Sequence, residues 1–108
     1  MDFKLDVASQ GDIAIVRVYG DIDMYTAPEL DACLEQIISD GITNLAVDLE
    51  GCSYFDSEGI KTLVRALKSA GEAARFSVCG AKGSVLRVFE VSGLSSLFRI
   101  LPSVDHLR

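Results

Sequence analysis

Residues 3–7, FKLDV, alternate apolar and polar positions, a turn follows at SQGD, and the β-branched run IAIVRVYG resumes from Ile13. Period-two patterning of this kind predicts two strands, joined as an antiparallel hairpin at a sheet edge. From Thr26 the period lengthens. Leu30, Cys33, Leu34, Ile37 and Ile38 recur at steps of three and four, which predicts a helix over about Thr26 to Asp40. Thr26, with Glu29 three residues on and Pro28 in the first turn, has the form of a capping box, and Gly41 supplies a left-handed stop. TNLAVDL, residues 43–49, suits a buried strand, and EGCSYF leads the chain out of it. A second helix opens at or beside Ser57. Ile60, Leu63, Val64 and Leu67 form its apolar face, Lys61, Arg65 and Lys68 lie off that face, and Gly71 ends it. RFSVCG is a third core strand. A last helix, Ser84 to Ser92, buries Val85, Leu86 and Phe89 and stops at Gly93, leaving LSSLFRIL as a short closing segment.

The resulting order, ββαβαβα, predicts one α/β domain over residues 1–108. Strands separated by single helices imply right-handed crossovers and a mixed, mostly parallel sheet with packed helices. In such sheets chemistry gathers at loops leaving the carboxyl ends of the strands, here GDIDMYT, EGCSYFDSEG, GAKGS and the tail.

Composition narrows the classes. The chain has 108 residues, 49% of them hydrophobic, enough for one core. A formal charge of −6 and no cluster of Lys and Arg argue against nucleic acid as a partner. Three cysteines without CxxC spacing and a single histidine, His106, suggest neither a disulfide framework nor a metal site, and free thiols suit a reducing cytoplasm. Cys33 and Cys79 read as packing residues. With no uncharged stretch long enough to cross a bilayer, membrane insertion is not expected. An exposed edge strand is compatible with a monomer or a weak dimer.

The loops offer several chemistries. GAKGS lacks P-loop spacing, so it reads as a tight turn with Ser84 capping the next helix, nucleotide binding being the competing reading. Asp48 lies near a strand end, like the phosphorylated aspartate of receiver domains. Those domains also need an acidic pair after the first strand and a lysine after the last, and both are missing. A serine hydrolase would need a base beside its nucleophile, and YFDSEGI is not a GxSxG elbow. No catalytic residue, metal site or cofactor is therefore assigned. In FDSEGI, Asp56 or Ser57 caps a helix, Glu58 complements the helix dipole and Gly59 allows close packing. A phosphate on Ser57 would meet the positive end of that dipole while adding about −1.5 to −2 charge between two carboxylates.

Three ordered motifs, VRVYGDIDMYTAPEL, LAVDLEGCSYFDSEGI and RVFEVSGLSSLFRI, resemble the STAS family, in particular its small bacterial anti-sigma factor antagonists. The resemblance covers nearly the whole chain. It implies a non-enzymatic binding module that, unphosphorylated, binds an anti-sigma factor with serine kinase activity and so frees a sigma factor. It further implies that the kinase phosphorylates Ser57 and ends the complex, and that a metal-dependent serine phosphatase restores it. Nucleotide and metal belong to those partners. Carried over by residue, Ser57 is the phosphoacceptor, Asp56 the preceding motif acid and Gly59 the close-packing turn residue, with Asp23 flanking the same partner-binding surface. Glu58 departs from the small residue that many relatives carry there, and its charge sits where a partner approaches. The alternative within the family is a scaffold in a stress-sensing complex, or a cytoplasmic subunit of a lipid or anion transporter, with Ser57 serving only as a helix cap.

Overall fold

The computed structural model describes residues 2–107. Alternation in the first segments yields β1 (Lys4–Gln10) and β2 (Ile13–Ile22), an antiparallel pair in which Val7 faces Val16 across the register. Then come α1 (Ala27–Ser39), β3 (Asn44–Phe55), α2 (Ser57–Ala70), β4 (Arg75–Cys79), α3 (Gly83–Ser92) and β5 (Arg99–Leu101). The sheet order is β1-β2-β3-β4-β5, with β2 to β5 mutually parallel. The order ββαβαβα is thus realised, and the closing segment adds a short fifth strand.

Because each crossover steps in the same direction across the sheet, right-handed connections place all three helices on one face. That face carries Val16, Val18, Leu45, Val47, Leu49 and Val78, packed with Leu30 and Leu34 of α1, Leu63 and Ala66 of α2, and Phe89 of α3. The alternate positions Ile13, Ile15, Ala46 and Cys79 point the other way. No α-helix among the described residues covers them. A C-terminal turn does so instead, with Leu107 buried among them, Leu101 and Val104 beside it, and the Gln10 amide donating to the Leu107 carbonyl at 3.4 Å. Towards the carboxyl ends of the strands this second face turns polar: Arg17 pairs with the buried Asp48 at 3.5 Å, and the other Asp48 oxygen accepts from the Glu50 amide.

Four expectations are corrected. EGCSYF is not an exit loop: β3 continues to Phe55, with two register shifts against β2 that each add a residue to β3. Such bulges destroy the alternation that identifies a strand. Thr26 does not cap α1 through its side chain, because its hydroxyl is held by the Asp23 amide and the Asp21 carbonyl. Ser84 does not cap α3 either: Lys82 occupies that position in extended backbone, and Ser84 lies one residue inside the helix. Finally, Leu86 is only half-buried, and Val88 packs against the core in its place.

Candidate functional site

Parallel pairing of β2 with β3 sets Ile22 opposite Phe55, so the loops that follow these strands emerge side by side. The Asp56 amide donates to the Ile22 carbonyl at 3.4 Å, tying one loop to the other.

In the first loop the Asp23 carboxylate accepts from the amides of Tyr25 at 2.9 Å and Thr26 at 3.2 Å. The Thr26 hydroxyl in turn accepts from the Asp23 amide at 3.0 Å and donates to the Asp21 carbonyl at 2.7 Å. This reciprocal pair is a capping box three residues earlier than Thr26 and Glu29 suggest. The Ala27 amide also donates to the Asp23 carbonyl at 2.8 Å, so Asp23 caps the turn that leads into α1, where Thr26, although it directly precedes the helix, already has helical backbone angles and makes no side-chain cap. Asp23 therefore shapes the loop that it also lines.

In the second loop Asp56 is the N-cap of α2, one oxygen accepting from the Glu58 amide at 2.9 Å and the other from the Tyr54 hydroxyl at 3.4 Å. Ser57 is the first helical residue, exposed, and its hydroxyl has no hydrogen-bond partner among the described residues. Glu58 turns along the helix to Lys61, at 3.1 Å, so its charge is partly neutralised. Gly59 is buried, and a Cβ there would lie 2.5 Å from Cζ of Phe55. Only glycine lets the first turn of α2 settle on that ring. The Phe55 ring stacks on Phe89 with centroids 5.3 Å apart, which fixes α3 against the same strand end.

Acidic groups converge here. The Asp56 carboxylate beside Tyr54 holds its phenol above the ordinary tyrosine range, with smaller contributions from desolvation, the hydrogen bond to Asp56, and the charges of Asp23 and Asp21. Ser53, turned outward by a bulge, donates to Asp21 at 2.9 Å. Met24, Tyr25 and Tyr54 stand 65%, 83% and 50% exposed around this cluster. These are residue types enriched at protein interfaces, and surface aromatics that no packing requires are the sequence signal for them. A groove of about 500 Å³ opens between the first turn of α2 and α3, with a mostly apolar lining that includes Ile60, Val88 and Val91, and with Ser57 and Arg87 at its edges. Asp23 thus lies in the loop after β2, and Asp56, Ser57, Glu58 and Gly59 form the cap and first turn of α2 beside it. GAKGS leads instead towards the second sheet face, where Lys82 lines a separate groove with Arg17 and Glu50. No group of three or more His, Cys, Asp or Glu suited to a metal ion occurs among the described residues, and no described helix is long and apolar enough to cross a membrane.

The STAS domain family model matches residues 4–107. The anti-sigma-B factor antagonist of Staphylococcus aureus is 32% identical over 101 residues, spanning 93% of this chain and 94% of that protein. An anti-sigma-F factor antagonist of Mycobacterium tuberculosis is 30% identical, over 91% of this chain and 80% of that one. The crystal structure of an anti-sigma factor antagonist from Mycobacterium paratuberculosis superimposes with a TM-score of 0.90 at 28% identity, covering 96% of this chain and 89% of that one.

Proposed function

The chain belongs to the STAS domain family, and on that premise we propose that it is an anti-sigma factor antagonist whose partner binding is switched by phosphorylation of Ser57. It acts by binding and has no catalytic group of its own. Unmodified, it holds an anti-sigma factor that is also a serine kinase, and the sigma factor is released. The kinase transfers the γ-phosphoryl group of ATP to Ser57: the hydroxyl loses its proton to a base of the kinase, an O–P bond forms and ADP leaves. A metal-dependent phosphatase hydrolyses that bond and resets the switch. Such partners place its work in the cytoplasm.

The observation that carries this reading is the unengaged, exposed hydroxyl of Ser57 at the head of α2, with the Asp56 carboxylate already committed to the cap. A kinase reaches that oxygen without disturbing the fold. Once modified, about −1.5 to −2 charge joins Asp23, Asp56 and Glu58 on a chain of net charge −6. Setting a new dianion against a desolvated interface costs several kcal/mol, and about 1.4 kcal/mol is tenfold in affinity.

The test is calorimetric titration of the anti-sigma factor from the same organism. Ser57→Ala should bind like the unmodified protein and Ser57→Asp at least about tenfold more weakly. Equal affinity of the two variants overturns the switch.

A further inference from the structure

The groove beside Ser57 is bordered by two charged residues, Asp56 and Arg87. Asp56 is occupied by the helix cap and by the Tyr54 hydroxyl. Arg87, on α3, is exposed and makes no ion pair or hydrogen bond among the described residues. Lys61, one turn beyond Ser57 on α2, is already held by Glu58 at 3.1 Å, and Arg65 by Asp31 at 3.0 Å. The positions of the two walls are set by the buried Phe55 and Phe89 rings, so Ser57 and Arg87 face one opening. Ser84 adds a hydroxyl on the α3 side.

We infer that Arg87 is the internal anchor of phosphorylated Ser57, its guanidinium reaching across the groove to bind the phosphate. A planar fork of N–H donors matches two phosphate oxygens, and such charge-assisted pairs are among the stronger hydrogen bonds. The inference rests on the reading that Ser57 is the modified residue, and it adds a second component to the switch. The phosphate and Arg87 together roof Ile60, Val88 and Val91, so a partner loses an apolar seat as well as meeting repulsion.

Phosphoserine placed at position 57 during translation makes the test independent of any kinase. The second ionisation of the phosphate is followed by ³¹P NMR across the mildly acidic range. The other titratable side chains around the group, Asp21, Asp23, Tyr54, Asp56, Glu58 and Lys61, are the same in all samples except the Lys61 variant, so their effects cancel in the comparison. Arg87→Gln should raise the phosphate's second pKa by about half a unit or more, because an adjacent cation favours the dianion. Arg87→Lys should restore part of the shift, and Lys61→Gln should have the smaller effect. Arg87 is exposed, so these variants are expected to fold. An unmoved pKa in Arg87→Gln, or a larger shift in Lys61→Gln, overturns the anchor. Retained anti-sigma binding by the phosphorylated protein would instead refute the switch while leaving the titration result standing, so the two failures are distinct.

Discussion

Gly59 shows how tightly the site is tied to the core. Its missing Cβ is occupied by the Phe55 ring, which is itself buried and stacked on Phe89 and cannot swing away. Gly59→Ala gains helix propensity of about 1 kcal/mol but must displace that ring, an overpacking cost of about 1–3 kcal/mol. A net loss of about 1 kcal/mol in urea unfolding is expected, together with shifted NMR signals from Phe55 and Phe89. Cys79 makes a different prediction. Burial, with the neighbouring Asp48 charge and despite Arg99, raises its thiol from 9.0 to about 11. Between those values the folded chain keeps a proton that the unfolded chain has lost, so stability falls as pH rises from about 9 to about 11 and is unaffected below. Unfolding midpoints of Cys79→Ala, measured over the same range, should show a shallower alkaline decline.

At the scale of elements, α1 owes its start to Asp23. Asp23→Ala should cost about 0.5–2 kcal/mol, the usual range for a lost cap, whereas Glu29→Ala should change stability by less than about 0.5 kcal/mol. Asp23→Asn keeps the accepting oxygen and removes the charge, so it isolates any electrostatic role in partner binding. Chemical denaturation of the three variants decides the matter. The contrast also marks what was legible in the chain. Helices α1 and α2 are readable because apolar residues recur at helical spacing over about two turns, and the glycines after them adopt positive φ, +87° at Gly41 and +89° at Gly71. The cap of α1 is not legible, because Thr26 and Glu29 match the capping-box pattern in the sequence while Asp23 and Thr26 make the reciprocal bonds in the fold. The end of β3 was misread because its bulges place Ser53 and Tyr54 outward together and interrupt the period of two. Of the site, Asp56, Ser57 and Gly59 could be read from local capping chemistry. Arg87 could not, since only the stacking of Phe55 on Phe89 brings α3 to the same opening.

For the molecule as a whole, the two sheet faces are unequal. Three helices seal one, while the other depends on a few C-terminal side chains, of which Leu107 is 1% exposed. Leu107→Ala should destabilise by about 2 kcal/mol, the low end for such truncations because Leu107 lies outside the helices and strands and its segment can settle into the space. It should also increase dye binding to exposed apolar surface, while Ser57 and its neighbours, in the first turn of α2 at the far ends of β2 and β3, keep their NMR shifts. Parallel sheets are ordinarily covered on both sides, so this thin cover is the fold's weak boundary. The hydrogen bond from Gln10 to Leu107 joins residues 97 apart in sequence. On the ribosome, then, the face bearing Ile13 and Ile15 emerges early and is roofed late, and a polypeptide released before its last strand leaves an adhesive sheet open to chaperones and proteases. Cellular quality control can thus tell a chain that has reached Leu107 from one interrupted before it.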